Sequence, residues 1–219
     1  TSMSAATVIA TVPMIAPAVQ DFEGAQFPPA GWRVFDYDNS VKWQKTFCLS
    51  GAAGGNTNAA YMDFFNYNTK SQIDDLETAE IDLSAVTSDS VFMTFDLAHA
   101  YGPAELDTLS LWVSEDCANT FVPTYYKKWG ANLATVGLMN TIFSPSAANH
   151  WRNDRLDLSA YKTKKVFVRF RGSNNKGNNL YIDNVNIMLK NAWPMGVNGF
   201  DENHVSVYPN PSDGKYTIE

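Results

Sequence analysis

Lys165-Val166-Phe167-Val168-Arg169-Phe170-Arg171 alternates along its length: Val166, Val168 and Phe170 point one way, and the arginines point the other. Successive side chains of a strand leave on opposite faces, so a period of two over this many residues predicts a half-buried β-strand. The same pattern recurs in Val91-Phe92-Met93-Thr94-Phe95-Asp96-Leu97, where the odd positions are apolar. It recurs again in Thr108-Leu109-Ser110-Leu111-Trp112-Val113, where Leu109, Leu111 and Val113 share a face. Leu180–Leu189 makes a fourth strand, with Asp183, Val185, Ile187 and Leu189 expected on one face. No stretch carries a long, capped, amphipathic helical pattern. At most a turn of helix is expected near 71–77 or 159–162. Long polar loops over 50–58, 100–105, 144–149 and 173–179 separate the strands. Together these features predict an all-β fold, an antiparallel β-sandwich of jelly-roll type.

The chain has 219 residues, enough for one large β domain with tails. Hydrophobic residues make up 45% and aromatics 13%, so a sizeable core can form. Charged residues are only 18%, and Asn, Ser, Thr and Gly fill the polar positions, which suits strands and loops. A net charge of −7 argues against nucleic acid as a partner and permits cation binding. No apolar run is long enough to span a bilayer as a helix. The opening stretch is small and apolar without the basic start of a signal peptide, so 1–18 is expected to be a linker or the end of a preceding domain in a longer protein. The sandwich is expected over 19–190 and a linker over 191–204, with a strand–turn–strand start of another unit over 205–219. A monomer is expected. Two cysteines, Cys48 and Cys117, suggest a disulfide in an exported protein, or two buried free thiols.

Catalytic patterns are sparse. The three histidines, His99, His150 and His204, have no second histidine within five residues, so a zinc-hydrolase helix is absent. There is no Gly-x-Ser-x-Gly elbow. This chain is therefore read as a non-enzyme, with a hydrolase site of dispersed residues as the least favoured alternative. Tyr125, Tyr126 and Trp129 cluster beside Lys127 and Lys128, and form a candidate surface for stacking on a sugar if exposed. Tyr61, Phe64, Phe65 and Tyr67 form a second aromatic group.

Three segments carry a resemblance. The first is Asp21-Phe22-Glu23-Gly24 with Phe27-Pro28-Pro29-Ala30-Gly31-Trp32 and Trp43. The second is Leu76-Glu77-Thr78-Ala79-Glu80-Ile81-Asp82-Leu83-Ser84 with Asp107-Thr108-Leu109 and Val113-Ser114-Glu115-Asp116-Cys117. The third is Trp151, Leu156-Asp157-Leu158-Ser159 and Leu180-Tyr181-Ile182-Asp183-Asn184-Val185. In this order they resemble the MAM-like jelly-roll modules of Bacteroidetes surface proteins, which include cleaved-adhesin and choice-of-anchor J domains. Val207-Tyr208-Pro209-Asn210-Pro211-Ser212-Asp213-Gly214 resembles the start of a type IX secretion sorting domain. That likeness implies a secreted or outer-surface location. Pro13-Met14-Ile15-Ala16-Pro17 resembles a junction in secreted pappalysin-like metallopeptidases, which would lie upstream.

The resemblance implies a structural calcium, with Glu23 and Asp183 as its foremost ligands, Asp107 third, and Asp21 after it. Asp36 and Asp38 are weaker candidates, because Asp36-Tyr37-Asp38-Asn39 lacks the glycine and closing glutamate of an EF-hand loop. The expected function is a non-catalytic, calcium-stabilised binding or adhesin-like module for a glycan, a host or surface protein, or a neighbouring upstream domain. The alternative is an accessory spacer beside a metallopeptidase.

Overall fold

The computed structural model describes residues 13–88, 90–101 and 106–189, with the backbone of 207–208 and 217–218. Alternating sequences become strands that lie in two sheets packed face to face. In the first sheet, β3 (Arg33–Asp36), β6 (Ile73–Glu77), β13 (Lys165–Ser173), β9 (Thr108–Ser114) and β10 (Val122–Trp129) lie side by side. There β7 (Ile81–Asp82) continues the line of β6 along β13, and β1 (Met14–Ile15) runs parallel to β7. The second sheet orders β4 (Gln44–Cys48), β5 (Thr57–Met62), β14 (Leu180–Leu189), β8 (Val91–Tyr101) and β12 (Arg152–Asp157). Two further strands, β2 (Ala18–Gln20) on β14 and β11 (Val136–Leu138) on β8, extend it. Most connections cross between the sheets, as in a jelly roll. The sandwich takes in β1 and β2, so it begins upstream of the boundary expected at residue 19. In the tail, β15 (Val207–Tyr208) pairs antiparallel with β16 (Thr217–Ile218). The linker expected over 191–204 and the Pro-Asn-Pro turn lie outside the described residues.

The apolar halves of the alternating strands meet between the sheets. Val91, Met93, Phe95 and Leu97 from β8 face Leu109, Leu111 and Val113 from β9, and Val166, Val168 and Phe170 from β13. All are buried in one cluster. At its centre the Phe95 ring meets the edge of Phe170 at 5.1 Å and of Tyr126 at 5.5 Å. Burying side chains of this size stabilises by about 1.5–3 kcal/mol each before the entropy of ordering is counted. A second cluster lies on the outer face of the second sheet. There Ala59, Ala98 and Ala100 leave room for Tyr181, Phe143 and Trp151, under the chain that runs from β11 to β12. The Trp151 indole donates to Ser50 O at 2.7 Å and the Tyr181 hydroxyl to Phe143 O at 2.7 Å, so this roof is tied down at its polar ends.

Three local expectations fail for physical reasons. Residues 73–77 form a strand where a helical turn was one option. Asp74, Asp75, Leu76 and Glu77 are all fully buried there, and Asp74 shares the inward side with Leu76, so the apolar face is broken and no period of two shows. Around 159–162 a one-turn 3-10 helix, Ser159–Tyr161, does form. The second failure concerns Asp183, which does not share a face with Val185 and Ile187. Its backbone partner is Asp96 and that of Asn186 is Thr94, so β14 spends one extra residue there. Asn184 adopts φ 47° at that bulge and turns Asp183 onto the outer face with Tyr181, while Val185 and Ile187 stay in the inner core. Finally, the cysteines are free. Cys48 is buried on β4 of the second sheet, whereas Cys117 is exposed after β9 of the first. They are therefore neither a disulfide nor two buried thiols.

Candidate functional site

The open side of the sandwich, where edge strand β10 meets edge strand β12, holds the site. Along β10 the pairing steps from Pro123–Trp112 to Lys127–Ser110, so four steps on one strand match two on the other. Thr124 makes this possible. Its hydroxyl donates to Leu111 O at 2.9 Å and accepts from Tyr126 N at 3.1 Å, standing in for a backbone pair. The irregularity sends neighbouring tyrosines opposite ways. Tyr126 turns inward onto Phe95 and is 4% exposed, while Tyr125 stays 71% exposed. The Tyr125 hydroxyl accepts from Asp157 N at 2.8 Å, so its ring bridges the seam to β12. At the other end of β10, Trp129 is 46% exposed.

Across the seam stands Asp154, buried beside Leu156 on the inward face of β12. It accepts from Tyr126 Oη at 2.6 Å, Lys128 Nζ at 2.8 Å, and Arg152 through Nε at 2.8 Å and Nη2 at 3.1 Å. Burial alone would raise its pKa, but Arg152, Lys128 and Tyr126 hold it below the ordinary carboxylate value. Arg152 also donates to Ala134 O at 2.9 Å and Asn132 O at 3.1 Å, fixing the turn after Trp129. The result is a line of three cavities of about 330, 390 and 520 Å³ running the length of the seam. Exposed rings stand over it, and its polar groups are already held in place. Arg155 lies on the ring of Phe92 at 5.2 Å and adds a further cation to the groove wall.

A second arrangement sits on the outer face of the second sheet. Thr57 Oγ1 lies 2.9 Å from Glu23 Oε1 and 2.8 Å from Asp183 Oδ2. A hydroxyl has one hydrogen, so it can donate to only one of these two oxygens. Burial, together with the charges of Asp96 and Glu23, pushes Asp183 up to about 7 against hydrogen bonds from Thr57 and Asn184 N. Burial would raise Glu23 too, but donors from the backbone and side chain of Asn58 lower it. Both acids follow or precede a residue in the left-handed region, Phe22 at φ 54° and Asn184 at φ 47°. For a buried phenylalanine this conformation is strained. Cys48 lies nearby. Burial first, then the charges of Asp183 and Glu23, push its thiol up to about 12, which makes it inert at neutral pH.

Of the four carboxylates expected to share a cation, the fold thus brings Glu23 and Asp183 together. Asp21 is exposed and accepts from Glu23 N at 3.1 Å. Asp107 does different work: it accepts from the backbone N–H of Asn175 at 2.7 Å, Gly177 at 3.2 Å and Asn178 at 2.9 Å, pinning the loop before β14. The groove residues Arg152 and Asp154 were not singled out from sequence. The signal was present, because a period of two over Arg152–Asp157 places Asp154 on the inward face with Leu156. An inward acid calls for a cationic partner.

No family model and no curated protein matches this chain. Solved structures do. The K1 cleaved adhesin domain of Lys-gingipain from Porphyromonas gingivalis W83 aligns at TM-score 0.54 and 18% identity, over 80% of this chain and 98% of that one. The K2 cleaved adhesin domain of Lys-gingipain aligns at TM-score 0.53 and 16% identity, again over 80% and 98%. A looser likeness, at TM-score 0.45 and 15% identity over 78% and 94%, is to TmCBM61 solved with β-1,4-galactotriose. The chain has the fold of the cleaved adhesin domains, an all-β sandwich.

Proposed function

We propose that this chain is a non-catalytic, extracellular binding module that takes an oligosaccharide along the β10–β12 seam. The observation that carries the reading is the pairing of exposed Tyr125 and Trp129 with a groove whose acid, Asp154, is already neutralised. Large exposed rings gather where a ligand covers them, and a sugar offers a flat apolar C–H face to each ring. The groove also gathers Lys127, Lys128, Arg152 and Arg155 against Asp154 and Asp157, a basic strip on a chain of net charge −7. Carboxylated or sulfated sugars fit that strip best, by charge complementarity. Calcium stabilises the module at Glu23 and Asp183. These acids offer only oxygen donors, as a hard cation requires, and have a single hydroxyl hydrogen between them.

Binding is tested on an array of neutral and acidic glycans with the wild-type chain and Tyr125→Ala/Trp129→Ala. The reading expects binding to acidic glycans that weakens with added salt and is lost in the double variant. A blank array, or binding unchanged by the double variant, would overturn it. A blank array combined with a neighbouring catalytic unit that needs this module for activity would favour the spacer.

A further inference from the structure

The outer face of the first sheet is built differently from the seam. On β6, Asp75 and Glu77 point outward, yet neither side chain has any exposed surface. Three arginines lie over them. Arg171 donates to Asp75 through Nε and Nη2, both at 2.8 Å, Arg169 Nε to Glu77 Oε2 at 2.8 Å, and Arg33 Nε to Glu77 Oε1 at 2.7 Å. Register sets this up: Arg171 stands opposite Asp75, while Arg169 on β13 and Arg33 on β3 stand opposite Glu77 from either side. The Tyr37 hydroxyl also donates to Asp75, at 2.7 Å to Oδ2. Rings hold the guanidiniums from the sides. Arg169 meets Phe35 at 4.5 Å and Phe121 at 3.7 Å, and Arg171 lies over Trp112 at 4.6 Å. Tyr37 stacks on Phe35 and is 51% exposed, and Phe35, Trp112, Phe121 and Phe167 are half-buried.

Guanidinium and ring therefore reach the surface, with the carboxylates beneath them. The three guanidiniums outnumber the two acids, and each has five N–H groups, more than those acids engage. Side chains clamped in this way lose little freedom when a partner arrives. We infer that the outer face of the first sheet docks an acidic segment of a protein partner. Arginine set among tyrosine, tryptophan and phenylalanine, with the acids hidden, is the make-up of the centre of a protein interface. The planar carboxylate of an Asp or Glu side chain matches the guanidinium fork. A positive face on a chain of net charge −7 selects an acidic partner by charge complementarity. A sugar fits this face less well than it fits Tyr125 and Trp129. It needs a free ring face, whereas Trp112, Phe35 and Phe121 already carry a guanidinium against theirs.

The test is an NMR titration of the isotopically labelled full chain with a copolymer of glutamate and tyrosine, and separately with heparin. The copolymer is expected to shift the signals of 33–37, 112, 121 and 167–171, and added salt should weaken its binding. Arg33→Ala and Tyr37→Ala should each weaken it by about tenfold. Both residues are half exposed, Glu77 keeps Arg169 without Arg33, and Asp75 keeps Arg171 without Tyr37, so melts should show both variants folded. No shift with the copolymer, shifts centred on the β10–β12 seam instead, or affinity unchanged in both variants would each overturn the docking face. So would heparin shifting the same signals as strongly, which would make the face a general polyanion site. Shifts of these signals with protein concentration alone would assign the face to a second copy of the chain and overturn it too.

Discussion

The two open flanks of the sandwich each bury an aspartate at the edge of the core, and they treat it in opposite ways. On the β10–β12 flank, Asp154 meets a guanidinium, an ammonium and a phenol. On the β3–β4 flank, Asp74 meets two more carboxylates and keeps one oxygen unpaired. Strand β6 shows the same contrast within four residues. Its outward acids, Asp75 and Glu77, are equally buried but are paired by Arg171, Arg169 and Arg33. The difference teaches what each flank lacks. On one flank the buried charge is matched within the fold and rings and donors stay exposed, whereas on the other like charges face one another across the strands.

The largest effect is expected where the paired acid loses its partner. Arg152→Ala leaves Asp154 buried with only Lys128 and Tyr126, and frees the carbonyls of the 130–134 turn. Urea denaturation should show a loss of about 3 kcal/mol, with or without calcium. A loss that calcium restores would break the contrast between the flanks.

Acid comes next. His99, behind the seam, is fully buried, and its Nδ1 lies 3.1 Å from Asn179 O. Burial lowers it to about 4, with Arg152 adding to the fall and the Asn179 carbonyl opposing it. A histidine with a depressed folded pKa contributes stability that is fully present above its ordinary value of 6.5 and is lost as pH falls toward 4. Denaturation at pH 5 against pH 7.5 should show a loss of roughly 2 kcal/mol from this residue. His99→Gln should flatten that slope, and a slope unchanged in the variant would contradict it.

On the acidic flank the sign reverses. Metal-free Asp74→Asn removes like-charge repulsion and is expected to equal or exceed the wild type by up to about 1 kcal/mol. Destabilisation comparable to that of Arg152→Ala would show that Asp74 already has its partner. Smallest of all, Tyr125→Ala and Trp129→Ala should each change stability by about 0.5 kcal/mol or less, since the rings are exposed. A melting shift as large as that of a core variant would make them packing residues and remove them from the groove.

Much of this architecture was legible in the residues. The alternation of β8, β9 and β13 named their inward faces correctly, because each lays an unbroken apolar row between the sheets. β6 was opaque because Asp74 shares the inward side with Leu76 while Ile73 shares the outward side with Asp75 and Glu77, so the alternation is broken on both sides. The orientation of Asp183 was misread because a bulge at Asn184 shifts the period by one residue, and asparagine in the left-handed region leaves little mark in a sequence. Glu23 and Asp183 nonetheless come together, since β2 and β14 are neighbours. Tyr125 and Trp129 were found as a cluster. Their opposite number on β12 was missed: its alternation places Asp154 inward, but two of its partners, Lys128 and Tyr126, lie on another sheet.

The reading of the two flanks is tested most directly by mapping a bound acidic oligosaccharide on the isotopically labelled chain by NMR, in the presence of calcium. The predicted result is a set of shifted signals confined to 124–129 and 152–157, with residues 27–45 on the opposite flank undisturbed. Shifts centred on 27–45, with the β10–β12 seam silent, would contradict it.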